Sequence, residues 1–308
     1  MLLEDAIEKY NGDVYIYYGG ISRDGYGLLS SALEEKENRA KKACLILITF
    51  GGNPDAGYRI ARAMNHYYKN VEILIPDACK SAGTLLCIGA NKLIFGDRGE
   101  LGPLDIQLSK PDEMFENMSG LDIVQALNAL EGQVLKSFRS YLVDIRGGCR
   151  LRTKIAADIA TKLADGLIAP IAAKIDPLTL GEHQRAMQIA CDYGERLNEV
   201  SKSLRKDALI RLVGSYPSHG FVIDRKEAKE LFNNVQAPDE ETNGLYLWVR
   251  GIIEITPMPD QPIVLDVASQ LPAKTNGEEN ENNVSNEDDH VRADNNNETN
   301  SGDSKPES

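Results

Sequence analysis

Two hydrophobic periods divide this chain. Through the first hundred residues, short apolar runs alternate with amphipathic ones. "DVYIYYG" (13–19) reads as a strand and "GLLSSALEEKENRA" as a helix. "CLILITF" (44–50) is apolar throughout, as in a strand covered on both faces. "DAGYRIARAMNHYYKN" puts Ala56, Ile60, Ala63, Met64 and Tyr67 on one helical stripe. "VEILIP", "SAGTLLCIGAN" and "KLIFG" continue the series as strand, helix and strand. That alternation predicts an α/β fold with a mostly parallel sheet.

From Leu121 to about Val213 the period becomes helical. The longest elements are "LDIVQALNALEGQVLKSFRSYLVDIR" and "TLGEHQRAMQIACDYGERLNEVSKSLRKDALIRLV". Gly147-Gly148 is expected to break the first, with Pro170 and Pro177 punctuating the middle. "HGFVIDRKEAKELF" then reads as strand followed by helix. No internal repeat is visible.

Composition changes the picture at the C-terminus. From Ala273 to Ser308 the chain has ten acidic against three basic residues and almost no large apolar side chain. Such a segment buries too little to offset its ordering entropy, so 272–308 is expected to be a disordered acidic tail. Residues 1–271 then form the folded domain, with a helical portion over about 115–215. Charge narrows the partners. The net charge of −13 argues against nucleic acid or an anionic membrane surface as partner. No apolar run approaches the ~20 residues that span a bilayer, and the acidic N-terminus does not read as a signal peptide. Five scattered cysteines without CxxC spacing indicate neither a disulfide framework nor a metal site. The expectation is a soluble cytoplasmic protein.

Two strand-to-helix turns carry the candidate chemistry. In "ITFGGNPDAG", Gly51-Gly52 follows a buried strand; in "IPDACKSAGT", Ser81 stands where a strand hands over to a helix. Parallel sheets open both turns at the carboxyl edge, where such folds place their sites. Ser81 reads either as a helix N-cap or as a nucleophile. In the second reading, the N–H groups of Gly52 and Ala82 converge on one oxygen beside the Ser81 hydroxyl, as an oxyanion hole requires.

"TFGGNPDAG", "CKSAGTLLCIGANKLIFGDRGELGPLDIQL" and "YPSHGFVI" together resemble the serine dehydrogenase proteinase family, Clp-fold serine proteinases related to signal peptide peptidase A. The resemblance runs from about Asp13 to Met258. It implies a Clp/crotonase-like core of repeated β-β-α units, Ser81 as nucleophile, and Gly52 and Ala82 as oxyanion donors. It further implies Asp105 as the acid and His219 as the base of a triad, a peptide or protein substrate, and assembly into a homo-oligomer. No metal or organic cofactor is implied. The sequence departs from the Clp protease subunit, which has a histidine where this chain has Leu104-Asp105.

A serine hydroxyl needs a neighbouring base to take its proton. His219, in a Pro-bearing turn, is the preferred candidate; its alternative role is a structural hydrogen bond within that turn. His183 and Lys174 are alternative bases, the lysine because apolar surroundings can lower its pKa. Lys80 is discounted because side chains adjacent in a turn diverge. His66 reads as a surface residue, and His290 goes with the tail. Cys79 and Cys87 read as packing, and Tyr17, Tyr18, Tyr67 and Tyr68 as core or interface. A crotonase-like acyl-thioester enzyme and a non-catalytic oligomeric scaffold are the competing functions.

Overall fold

The computed structural model describes residues 3–104, 120–173 and 177–271, without side chains for 120–127, 179 and 183. The expected tail, 272–308, and with it His290, lies outside the described residues. So do Asp105 and Lys174, and so does the side chain of His183.

In chain order the elements begin with α1 (Leu3–Tyr10), β1 (Asp13–Tyr18), α2 (Arg23–Glu35), β2 (Lys42–Ile48), α3 (Pro54–Tyr67) and β3 (Asn70–Ile75). They continue with β4 (Ala78–Cys79), α4 (Ala82–Ile88), β5 (Lys92–Phe95) and β6 (Glu100–Leu101). The helical portion is α5 (Gly120–Cys149), α6 (Thr153–Ala172), α7 (Pro177–Ser201) and α8 (Ala208–Gly214). Last come α9 (Arg225–Leu231), β7 (Val235–Gln236), α10 (Asn243–Ile255) and β8 (Ile263–Asp266). The fold is mixed α/β. Among the described residues the main sheet runs β7-β5-β3-β2-β1-β8, parallel except for β8.

Strands β1, β2, β3 and β5 are laid down in one direction across the sheet. Right-handed crossovers then deliver α2, α3 and α4 to the same face. Alternate side chains of β2 show the result. Leu45 and Leu47 pack with Leu29 and Leu33 of α2 and Ile60 and Met64 of α3. Cys44, Ile46 and Ile48 pack on the other face with Tyr10 of α1 and Leu245 and Val249 of α10. Covering on both faces explains why β2 is a continuous apolar run.

Several boundaries differ from the sequence reading. Helix α5 runs through Gly147-Gly148 to Cys149, and the chain turns at Arg150, where φ is 52°. Pro170 lies inside α6, and Pro177 opens α7. The long segment ending at Val213 breaks after Ser201, with Lys202 and Asp207 at positive φ before α8. "HGFVI" forms no strand; Ile223 alone bridges Leu101. Among the described residues no helix is long and apolar enough to cross a membrane.

A second, smaller layer positions the site. Strands β4 and β6 pair in parallel. Thr49, just beyond β2, bridges Cys79 of β4, and Leu101 of β6 bridges Ile223. The carboxyl edge of the main sheet is thereby stitched to the segment that follows α8.

Candidate active site

Ser81 occupies the N-cap position of α4, yet its side chain makes no capping hydrogen bond. Its backbone explains why. With φ 50° and ψ −115°, and with Gly83 N–H donating to Lys80 C=O at 2.8 Å, residues 80–83 form a type II′ turn. The second position of that turn ordinarily belongs to glycine, and a β-carbon there costs on the order of 1–3 kcal/mol. A serine held in a strained turn between strand and helix is the geometry of a nucleophile elbow. The N-cap reading therefore fails on geometry.

The strain is held by its surroundings. Lys80 N–H donates to Thr49 C=O at 2.9 Å, and Thr49 N–H to Ala78 C=O at 2.8 Å. The Thr84 hydroxyl lies 2.8 Å from Gly102 C=O and 3.2 Å from Cys79 C=O. Cys79 and Cys87 are both buried, their sulfurs 3.7 Å apart, and burial above all, then Cys79, pushes the Cys87 thiol pKa well up. These thiols pack beneath the turn, as their apolar neighbours suggested.

The glycine pair is just as constrained. Gly51, at φ 113°, lies so close to Ser81 that an added β-carbon would sit 2.7 Å from Ser81 Cβ and 3.2 Å from its Oγ. A side chain there would occupy the hydroxyl's own space. Gly51 N–H donates to the Thr49 hydroxyl at 3.0 Å. Ile21 clamps the loop from the β1 side, its N–H on Gly51 C=O and its C=O accepting Asn53 N–H, both at 2.8 Å. In that register the N–H of Gly52 faces away from Ile21. Among the described residues no acceptor engages the N–H of Gly52 or that of Ala82. Asn53 then caps α3 by accepting from Ala56 N–H, and Pro54 opens the helix.

Lys80 is almost wholly buried, and its ammonium engages Glu100, Leu101 and Phe221. Nζ lies 2.9 Å from Glu100 Oε1, 3.3 Å from Phe221 C=O and 3.5 Å from Leu101 C=O. Three protons meet three acceptors. Gly102 makes room for it, since a β-carbon there would come within 2.7 Å of Lys80 Cδ. Phe221 N–H closes a turn onto Ser218 C=O, and His219 stands within that turn, half-buried. The His219 turn is thus tied to the Ser81 turn through one side chain.

A small apolar niche of about 10 Å³ lies beside Ser81, lined by Pro54, Ala82, Leu85, Leu104 and Ala190 with Ser81 itself. Leu104 is the last described residue before Asp105. His66 is exposed, as expected. Thr49, Lys80, Thr84 and Glu100 are the residues that the sequence pattern did not single out as site-forming. Only Lys80 had a visible signal, its adjacency to the serine.

No protein-family model matches the chain. Among curated proteins, the uncharacterized protein MJ0137 of Methanocaldococcus jannaschii is 35% identical over 66 residues. That stretch is 21% of this chain and 23% of MJ0137, so the match spans less than a quarter of that relative's length. Among solved structures, a mutant of the 1510-N membrane-bound stomatin-specific protease matches with a TM-score of 0.30 and 18% identity. It covers 49% of this chain and 71% of its own. Similarity of that degree carries no conclusion about activity.

Proposed function

We propose that this chain is a serine peptidase of Clp-like fold in which Ser81 is the nucleophile. The observation that supports this most is the conformation of Ser81: a strained type II′ position, capping nothing, beside Gly51, where an added β-carbon would collide with the serine. In the proposed reaction His219 takes the Oγ proton as Oγ attacks a peptide carbonyl carbon. The N–H groups of Gly52 and Ala82 hold the resulting oxyanion, each worth on the order of 100- to 1000-fold in rate. His219 then protonates the departing amine, and water releases the acyl group from Ser81. Asp105 would orient the imidazole; His183 and Lys174 remain the alternative bases.

Assembly into a homo-oligomer belongs to the same proposal. Its support is a row on α6, Ile155, Ile159, Leu163, Leu167 and Ile171, whose side chains are exposed while Ala156, Ala160 and Ala164 are buried. Sedimentation velocity reads it directly, and a monomer at micromolar concentration would remove it.

The deciding experiment for the reaction is treatment with a fluorophosphonate, followed by intact-protein mass spectrometry. Stoichiometric labelling at Ser81, lost in Ser81→Ala, is the expected result. A folded protein that takes no label overturns the hydrolase reading and leaves the crotonase-like enzyme and the scaffold.

A further inference from the structure

Lys80 follows directly on Cys79 of β4 and immediately precedes the candidate nucleophile, and its side chain reaches β6 and the 218–221 turn. It is a buried cation with one carboxylate, Glu100, and two backbone carbonyls as acceptors. One carbonyl, Leu101, belongs to β6. The other, Phe221, closes the turn that holds His219. The neighbouring backbone link between β6 and this segment is the Leu101–Ile223 bridge, and it lies beyond the turn. Ile223 fixes where the strand-like end of the segment lies, and Phe221 C=O, within the turn itself, is held by Lys80. A surface ion pair would be a poor device for that purpose, since it contributes little. A buried ammonium with all three protons engaged is directional, and losing it would leave two backbone carbonyls and the partly buried Glu100 carboxylate without their partner.

We propose that Lys80 is a positioning residue that ties the turn carrying His219 to the turn carrying Ser81. Its length and charge set the alignment of imidazole and hydroxyl. This inference rests on the reading of Ser81 as nucleophile and His219 as base. The covalent adjacency of Lys80 and Ser81 makes the tie short: displacement of the strained turn is passed through one side chain to Phe221. Gly102 serves the same device by leaving the lysine stem its path.

Two measurements test it on the full chain. In Lys80→Met, hydrogen–deuterium exchange of the amides in 218–222 should rise at least ~10-fold while β1, β2 and β3 keep wild-type protection. Fluorophosphonate labelling of Ser81 should slow by about 10- to 100-fold, the loss that a misplacement near 1 Å produces. The acidic limb of the labelling rate, which reports protonation of the base, should flatten. A merely structural lysine would not move that limb.

Removing one partner of a buried pair can unfold a protein, so Lys80→Met with Glu100→Leu is the second variant. Replacing both charges by apolar groups is often neutral for stability. The double variant should fold, exchange fast over 218–222 and label slowly. Wild-type labelling rate and pH limb in a folded variant would overturn the inference, as would unchanged exchange over 218–222. If the wild type itself takes no label, the nucleophile reading falls and the catalytic purpose of Lys80 with it. Exchange alone then decides whether the tie exists.

Discussion

Serine 81 sits where glycine would fit better. Its φ of 50° is uncommon for a residue with a β-carbon, and the turn it occupies has no need of a hydroxyl. Strain of this kind persists only where the surroundings enforce it, here through Thr49, Thr84 and the Gly51 contact. Ser81→Gly is therefore expected to raise stability by about 1 kcal/mol, the relieved strain less the extra freedom of the unfolded chain. Ser81→Ala, which keeps the β-carbon, should show no such gain. Urea unfolding midpoints separate the two, and both variants should lose labelling. From the sequence pattern alone, Ser81 read more readily as a cap, and the family resemblance is what favoured a nucleophile. A cap and a nucleophile share residue type and chain position, and only the φ, ψ pair distinguishes them. His219 was visible as one of four histidines, but the link between its turn and the serine turn is the contact of Lys80 with Phe221, residues distant in sequence.

Helix α4 is short and buried on all sides, every residue from Ala82 to Ile88 being inside. Its neighbours pack close: a β-carbon at Gly57 of α3 would lie 3.1 Å from Ala82 C=O. Helix α7 closes the niche beside Ser81 through Ala190. The niche is apolar and small, so under the proposed peptidase reading a substrate residue seated there is expected to be small and apolar. Ala190→Phe, which fills the niche, should lower cleavage or labelling at least ~10-fold with probes bearing a side chain at that position. A small, side-chain-free phosphonate should be affected far less; comparing the two labelling rates checks it. The elements with strong period were legible in sequence: β1, β2, β3 and α3 fall within a few residues of where the pattern places them, while α2 starts earlier, at Arg23, and ends at Glu35, before "KENRA". Strand β8 and helix α10 were not read at all, and the strand expected at "HGFVI" is a single bridge. A four-residue strand that is only half-buried has too few positions for alternation to stand out.

Across the whole molecule, a buried polar chain fastens the main sheet to its edges. Tyr15 and Tyr68 hydroxyls meet at 2.8 Å, and Tyr68 donates to Asp13 at 2.8 Å. Lys36 reaches both Asp13, at 3.5 Å, and Asp266 of the edge strand β8, at 2.7 Å. Burial pushes the Tyr15 phenol up to about 12, and Tyr68 is raised further by burial and by its bonds to Tyr15 and Asp13. A phenol raised in the folded state holds its proton more tightly there than in the unfolded chain. Its contribution to stability is complete below the ordinary phenol value near 10 and is lost as pH rises through about 12. Stability measured by urea unfolding should fall across that alkaline window. In Tyr15→Phe the slope should be shallower. An equal slope in both proteins would exclude Tyr15 as its source.

The apolar periods of this chain were enough to determine an α/β fold with a mostly parallel sheet, because burial of alternating or continuous apolar runs is a local property of the residues. Composition likewise leads to the expectation of a boundary near Leu271, because few large apolar residues follow it. Tertiary structure alone decided that Ser81 caps nothing, that Gly51 is spent on making room for it, and that Lys80 joins two turns far apart in the chain. Each of these depends on distances between segments, and a distance across a fold is set by how whole elements pack rather than by the residues beside it in sequence.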